Sequence, residues 1–174
     1  GKLIFQEYGG KDTPRANLLQ LRASPGYARG EYSRILVTRD ADSDFDASWR
    51  SITDSIKDTF SSALTKPGDW TQTDNGVEIS AWVIPGPDQT GMIETLCVES
   101  SRDNIPEVFT CLDTFVKCLG KLHGQPLHEK ARFYIWTIAA QGVDAKDRLS
   151  LKYAIPKLAI DWDNKTFSPL KELL

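Results

Sequence analysis

The hydrophobic positions of this chain change their spacing from segment to segment, and the changes predict its elements. Leu3-Ile4-Phe5-Gln6-Glu7-Tyr8 is a short apolar-aromatic run closed by Gly9-Gly10, which predicts a strand and a turn. A short helix is expected from Pro14 through Ala16, Leu18, Leu19 and Leu21, stopped by Ser24-Pro25-Gly26. Arg34-Ile35-Leu36-Val37-Thr38 predicts a buried strand, branched and bounded by charge. Trp49, Ile52, Ile56, Phe60 and Ala63 then recur at steps of three and four, so a long helix is expected from about Ala47 to Ala63. Val77 to Ile84 predicts another strand, ended by Pro85-Gly86-Pro87, and Met92 to Glu99 a short helix. Ile105, Val108, Phe109, Leu112, Val116, Leu119 and Leu122 mark a further helix with Pro106 in its first turn. Helices are expected again over Lys130–Gln141 and Asp147–Ile155, and Phe167 to Leu174 closes the chain.

Strands separated by helices need crossover connections, which favours parallel pairing. The expected fold class is therefore α/β, with a mostly parallel sheet, helices on both faces, and residues 1–174 in a single domain. With 174 residues the chain is long enough for one core without staples. A formal net charge of -3 argues against a diffuse, charge-driven grip on a polyanion, though not against a local metal or phosphate site. No apolar stretch is long enough for a transmembrane helix, so no membrane partner is expected. Gly1-Lys2-Leu3-Ile4-Phe5 lacks the apolar core of a signal peptide. Cys97, Cys111 and Cys118 have no metal-ligand spacing and sit among apolar neighbours, so they are expected as buried free thiols in a reducing, cytoplasmic setting.

The candidate chemistry lies after the Arg34–Thr38 strand, in Asp40-Ala41-Asp42 followed by Asp44 and Asp46. Ligands of open parallel sheets bind beyond the carboxyl ends of the strands, where this loop must fall. Carboxylates this close repel one another unless a cation offsets them. Hard oxygen donors suit Mg²⁺ or Mn²⁺, with waters and a phosphate completing the shell, which points to Asp40, Asp42 and Asp44 as metal ligands. The competing reading makes Asp44 or Asp46 the cap of the following helix, with the other carboxylates solvated; for Asp46 alone the cap is the better reading. Glu94 reaches the same crevice if its preceding strand neighbours the first, and otherwise is a solvated helix residue. Lys130, at the head of an aromatic-rich helix, is either a phosphate-facing cation or a surface lysine. His123 and His128 lack any zinc or triad pattern. Phe133, Tyr134 and Trp136 are expected in the core, and Asp161-Trp162-Asp163-Asn164 in a turn before the last helix.

The Asp40-Ala41-Asp42 strand end resembles the Asp-x-Asp motif of the Toprim superfamily of primases, topoisomerases and overcoming-lysogenisation-defect nucleases. More closely, the chain resembles an uncharacterised Toprim-related family of small prokaryotic proteins. The likeness runs through Tyr8-Gly9-Gly10-Lys11-Asp12, Ile35 to Asp42, Trp82-Val83-Ile84-Pro85 leading to Gly91-Met92-Ile93-Glu94-Thr95-Leu96, Lys130 to Ala140, and Asp161 to Leu174. The resemblance implies a Toprim-like α/β domain in which Asp40 and Asp42 hold Mg²⁺, with Glu94 and Lys130 lining the same crevice as catalytic candidates. It further implies metal-assisted phosphoryl transfer, nuclease-like, on nucleic acid or nucleotides. One departure stands out. The superfamily's catalytic glutamate follows an earlier strand in a Glu-Gly setting, whereas Glu7 here precedes Tyr8-Gly9-Gly10. The only methionine is Met92, so Gly1 is not a translational start. The expectation is thus a first strand upstream of Gly1, or a domain without that glutamate. The second alternative makes the protein a non-catalytic module that binds a protein or nucleotide partner.

Overall fold

The computed structural model describes residues 14–141 and 160–173. The predicted strand at Leu3–Tyr8 and the predicted helix at Asp147–Ile155 lie outside the described residues. The chain divides into two compact units, Gly1–Thr90 and Gly91–Leu174.

In the first unit, α1 (Pro14–Arg22) and α2 (Pro25–Ala28) precede β1 (Arg34–Asp40), α3 (Phe45–Phe60), β2 (Thr71–Gln72) and β3 (Glu78–Ile84). The sheet order is β1-β3-β2. β1 and β3 are parallel, in register from Arg34 against Glu78 to Asp40 against Ile84. Arg34 Nε donates to Glu78 Oε2 at 2.7 Å across that first pair, and the guanidinium lies over the Trp70 ring at 5.0 Å. β2 runs antiparallel to β3, so the sheet among the described residues is mixed rather than mostly parallel. The cause is a tight turn at Asp74-Asn75-Gly76. Gly76 takes φ +83°, and Thr73 N–H donates to Val77 C=O at 2.8 Å, folding the chain back before it enters β3.

α3 covers one sheet face, and α1 packs on α3. Side chains of a strand alternate between faces, so Ile79, Ala81 and Val83 of β3 point the same way, and all three are fully buried. They share a core with Val37, with Ile52, Ile56 and Phe60 of α3, and with Leu18 and Leu21 of α1. Tyr27 stacks tilted on Phe60, ring centroids 5.5 Å apart. The expected spacing of three and four thus faces the core, but the helix starts at Phe45 and stops at Phe60. Ser61 takes φ +57° and its N–H donates to Lys57 C=O at 2.9 Å, which ends the helix before Ala63. Ser80, Trp82 and Ile84 on the opposite face of β3 are buried as well.

The second unit holds α4 (Ile93–Ser100), α5 (Pro106–His123), α6 (Glu129–Gln141), a 3-10 turn (Lys165–Phe167) and α7 (Ser168–Lys171). α6 packs on both α4 and α5. Phe133 and Trp136 are buried as expected, with rings 5.7 Å apart, but Tyr134 is exposed. Asp161 to Asn164 does form a turn: Asp161 Oδ1 accepts from Asp163 N–H at 3.0 Å, and Asn164 caps the 3-10 turn. Asn164 Nδ2 also donates to Ser100 C=O at 3.3 Å, tying this segment to α4. Cys97 is buried, but Cys111 and Cys118 are exposed, which corrects the expectation of three buried thiols. They sit on the side of α5 away from its buried Phe109 and Leu112. No helix of the described residues is long and apolar enough to cross a membrane.

Candidate metal centre at the end of β1

The connection from β1 to α3 is a tight turn organised around one buried residue. Ala41 is fully buried, and its N–H donates to Ile84 C=O at 2.8 Å, carrying the β1–β3 ladder one step past the strand. Its carbonyl accepts from Asp44 N–H at 3.0 Å and from Ser48 Oγ at 3.3 Å, which turns the chain into α3. Asp40 and Asp42 flank this anchor. Asp40 is half-buried at the strand end, and Asp42 is exposed with φ +52°, a left-handed conformation that aspartate tolerates better than most side chains. Behind Asp40, Arg39 Nη1 donates to Ser51 Oγ at 2.9 Å and joins the strand end to the second turn of α3.

Asp44 is the helix cap. Its Oδ1 accepts from Ala47 N–H at 2.9 Å, while Asp46 lies in the first helical turn. The preference for Asp46 as the cap is therefore corrected: the helix begins one residue after Asp44, because Ala41 and Ile84 end the strand early enough for the turn to close there. A carboxylate at this cap also complements the positive end of the helix dipole.

Asp40, Asp42 and Asp44 are thus brought onto one short turn at the carboxyl end of a parallel strand pair. Among the described residues no group of three or more His, Cys, Asp or Glu side chains gathers in a way that encloses a metal ion. Mg²⁺ does not require such a cage, since it keeps several waters and takes one or two carboxylates plus substrate phosphates. Asp40 and Asp42, both carboxylates on one turn, fit that donor set. Asp44, with one oxygen held by the cap, fits less well.

Glu94 and Lys130 belong to the second unit. Glu94 lies in the first turn of α4 and is half-buried, and its Oε2 is buried without a hydrogen-bond partner. Burial pushes the Cys97 thiol up to about 12, and the Glu94 charge adds to the effect. Lys130 is exposed at the second position of α6, and its backbone N–H donates to His128 Nδ1 at 3.2 Å. The starting turns of these two helices meet through Thr95 Oγ1 and Glu129 Oε2, 3.4 Å apart. Thr95 Oγ1 also accepts from Met92 N–H at 3.2 Å. Gly91 belongs to this arrangement, since it has φ +130° and a Cβ there would lie 2.9 Å from Thr95 Oγ1. Of these residues only Glu94 and Lys130 stood out in the sequence as site candidates; Gly91, three residues before Glu94, was the available signal for the Thr95–Glu129 contact.

The chain belongs to the DUF3226 family, described as proteins of unknown function, whose profile matches residues 2–174. No curated protein matches the chain. No solved structure matches it either.

Proposed function

We propose that this DUF3226 member is a Toprim-like protein that binds Mg²⁺, or Mn²⁺ in its place, through Asp40 and Asp42. The bound ion serves phosphoryl transfer on nucleic acid or nucleotides. The observation that supports this most directly is the pair of carboxylates on the Ala41 turn, at the carboxyl end of the parallel β1–β3 pair. That position is where open α/β sheets bind ligands. The metal, when bound, supplies charge neutralisation and polarisation of a phosphate oxygen. The protein's own contribution is to fix the two carboxylates. Ala41 pins the turn to Ile84, and the Arg39–Ser51 hydrogen bond steadies the strand end from below. Asp44 holds the helix start in place rather than acting as a ligand. The exposed free thiols Cys111 and Cys118 suit a reducing, cytoplasmic setting.

The test is thermal melting of the whole chain with and without millimolar Mg²⁺ or Mn²⁺, alongside Asp40→Asn and Asp42→Asn. A ligand that binds only the folded state raises the midpoint by mass action. A rise in the parent that disappears in both variants supports the site. No rise with either ion removes it. Phosphodiester and nucleotide hydrolysis assays then separate the two uses of the site: retained metal binding without turnover assigns a non-catalytic binding module.

A further inference from the structure

We propose that α5 is a self-association surface, pairing antiparallel with the α5 of a second copy of this chain. Val108, Cys111, Phe115, Cys118 and Leu122 follow one another at steps of three, four, three and four, the spacing of a helix-pairing seam. In an ordinary surface helix such a line faces its own core. Here α5 buries Phe109 and Leu112 instead, and most of the seam is left outside: Val108 is half-buried, but Phe115 is 49% exposed, Leu122 is 75% exposed, and both cysteines are exposed. Large apolar side chains aligned on one exposed stripe are the mark of an interaction surface rather than of scattered surface residues.

Charge selects the occupant. Glu107, Thr114 and Lys121 each stand one residue before a seam position, at steps of seven, and therefore line one border of the seam. The border is acidic near the start of α5 and basic near its end. Glu107 and Lys121 are exposed, and among the described residues neither has an ion-pair partner. Two α5 helices crossing antiparallel about Phe115 bring Glu107 of each copy towards Lys121 of the other, and two-fold symmetry makes the contact twice. The opposed helix dipoles add to the match. Parallel pairing sets the acidic ends together and leaves both charges unanswered. A single helix pair buries less area than a standard stable interface, so the association is expected to be weak and concentration-dependent.

Sedimentation equilibrium of the full chain, over a wide concentration range with reductant present, tests the proposal. The parent is expected to be a monomer–dimer equilibrium, and Phe115→Glu a monomer throughout. Glu107→Lys and Lys121→Glu are each expected to weaken the dimer about fivefold, because each reversal sets like charges together at both symmetric contacts. The double reversal Glu107→Lys/Lys121→Glu is expected to restore parental affinity, an outcome that only the antiparallel arrangement gives. Far-ultraviolet circular dichroism confirms that each variant keeps its helices. A parent that stays monomeric at every concentration overturns the proposal. So does a dimer indifferent to Phe115→Glu, and so does a double reversal no better than the singles.

Discussion

Asp44 Oδ1 accepts a hydrogen bond from Ala47 N–H at 2.9 Å, so a residue that the acidic motif offers as a metal ligand is the start signal of α3. Asp44→Ala leaves that N–H without its partner and is expected to cost about 1 kcal/mol in urea unfolding. Asp44→Ser, another good cap, is expected to stay within a few tenths of the parent. If Mg²⁺ raises the melting midpoint of Asp44→Ser as much as that of the parent, the division of labour between Asp44 and the Asp40–Asp42 pair holds. A lost response in that variant would make Asp44 a ligand.

The β2–β3 hairpin depends on one backbone conformation. Gly76 has φ +83°, and no atom lies within 4 Å of a Cβ placed there, so crowding is not the obstacle. Gly76→Ala is therefore expected to destabilise the protein by about 1 kcal/mol through backbone strain alone. Gly76→Asn should cost less, since asparagine enters the left-handed region more readily. Equal losses for the two variants in denaturant titrations would mean that the turn relaxes some other way.

In the second unit, Arg102 clasps Glu99 with Nε at 2.9 Å and Nη2 at 3.1 Å, and reaches Asp113 with Nη1 at 3.0 Å. Arg132 joins the same two carboxylates at 3.3 and 3.4 Å. The Arg102 guanidinium also lies 4.5 Å over the Phe109 ring. A fork and a flat stacking face are both needed here, so Arg102→Lys is expected to be disruptive, at about 1 kcal/mol. These groups are partly exposed, and a double-mutant cycle between Arg102 and Asp113 is expected to give a coupling of about 0.5–1 kcal/mol that shrinks with added salt. A salt-independent coupling would assign the effect to packing on Phe109.

Cys97 should make the protein sensitive to alkali. Its thiol is raised from 9.0 to about 12 in the folded state, chiefly by burial. Above pH 9 the unfolded chain loses this proton while the folded one retains it. The stability contribution is thus whole below about pH 9 and is lost as pH rises towards 12, with a limiting slope of about 1.4 kcal/mol per pH unit. Comparing the parent with Cys97→Val cancels the other titrating groups. Urea unfolding near pH 8 and again near pH 10.5 should show the parent losing more stability than the variant; parallel losses would remove Cys97 as the cause.

The sequence carries the elements better than their consequences. Ile52, Ile56 and Phe60 advertised a core-facing helix because helical period is local, and Ile79 to Ile84 advertised a buried strand for the same reason. The hairpin into β3 went unread, although Asn75-Gly76 is a local turn signal, because β2 is only two residues long and has no hydrophobic run of its own to draw notice. Apolar content alone could not tell which face of α5 is buried. Phe109 and Leu112 turn inward and Phe115 and Leu122 outward because, among the described residues, α6 packs against one side of α5, and that is a tertiary fact. The acidic loop was legible as a cluster, but the assignment of Asp44 to the cap depended on where Ala41 ends the ladder with Ile84.

The left-handed backbone at Asp42 separates the chemistry of the turn from its architecture. Asparagine and glycine accept φ +52° at least as readily as aspartate does, so the charge at this position can be removed while the chain keeps its path. Asp42 thus behaves as a replaceable fitting on a fixed mount: its carboxylate can be exchanged for an amide or removed altogether without refolding the turn that carries it.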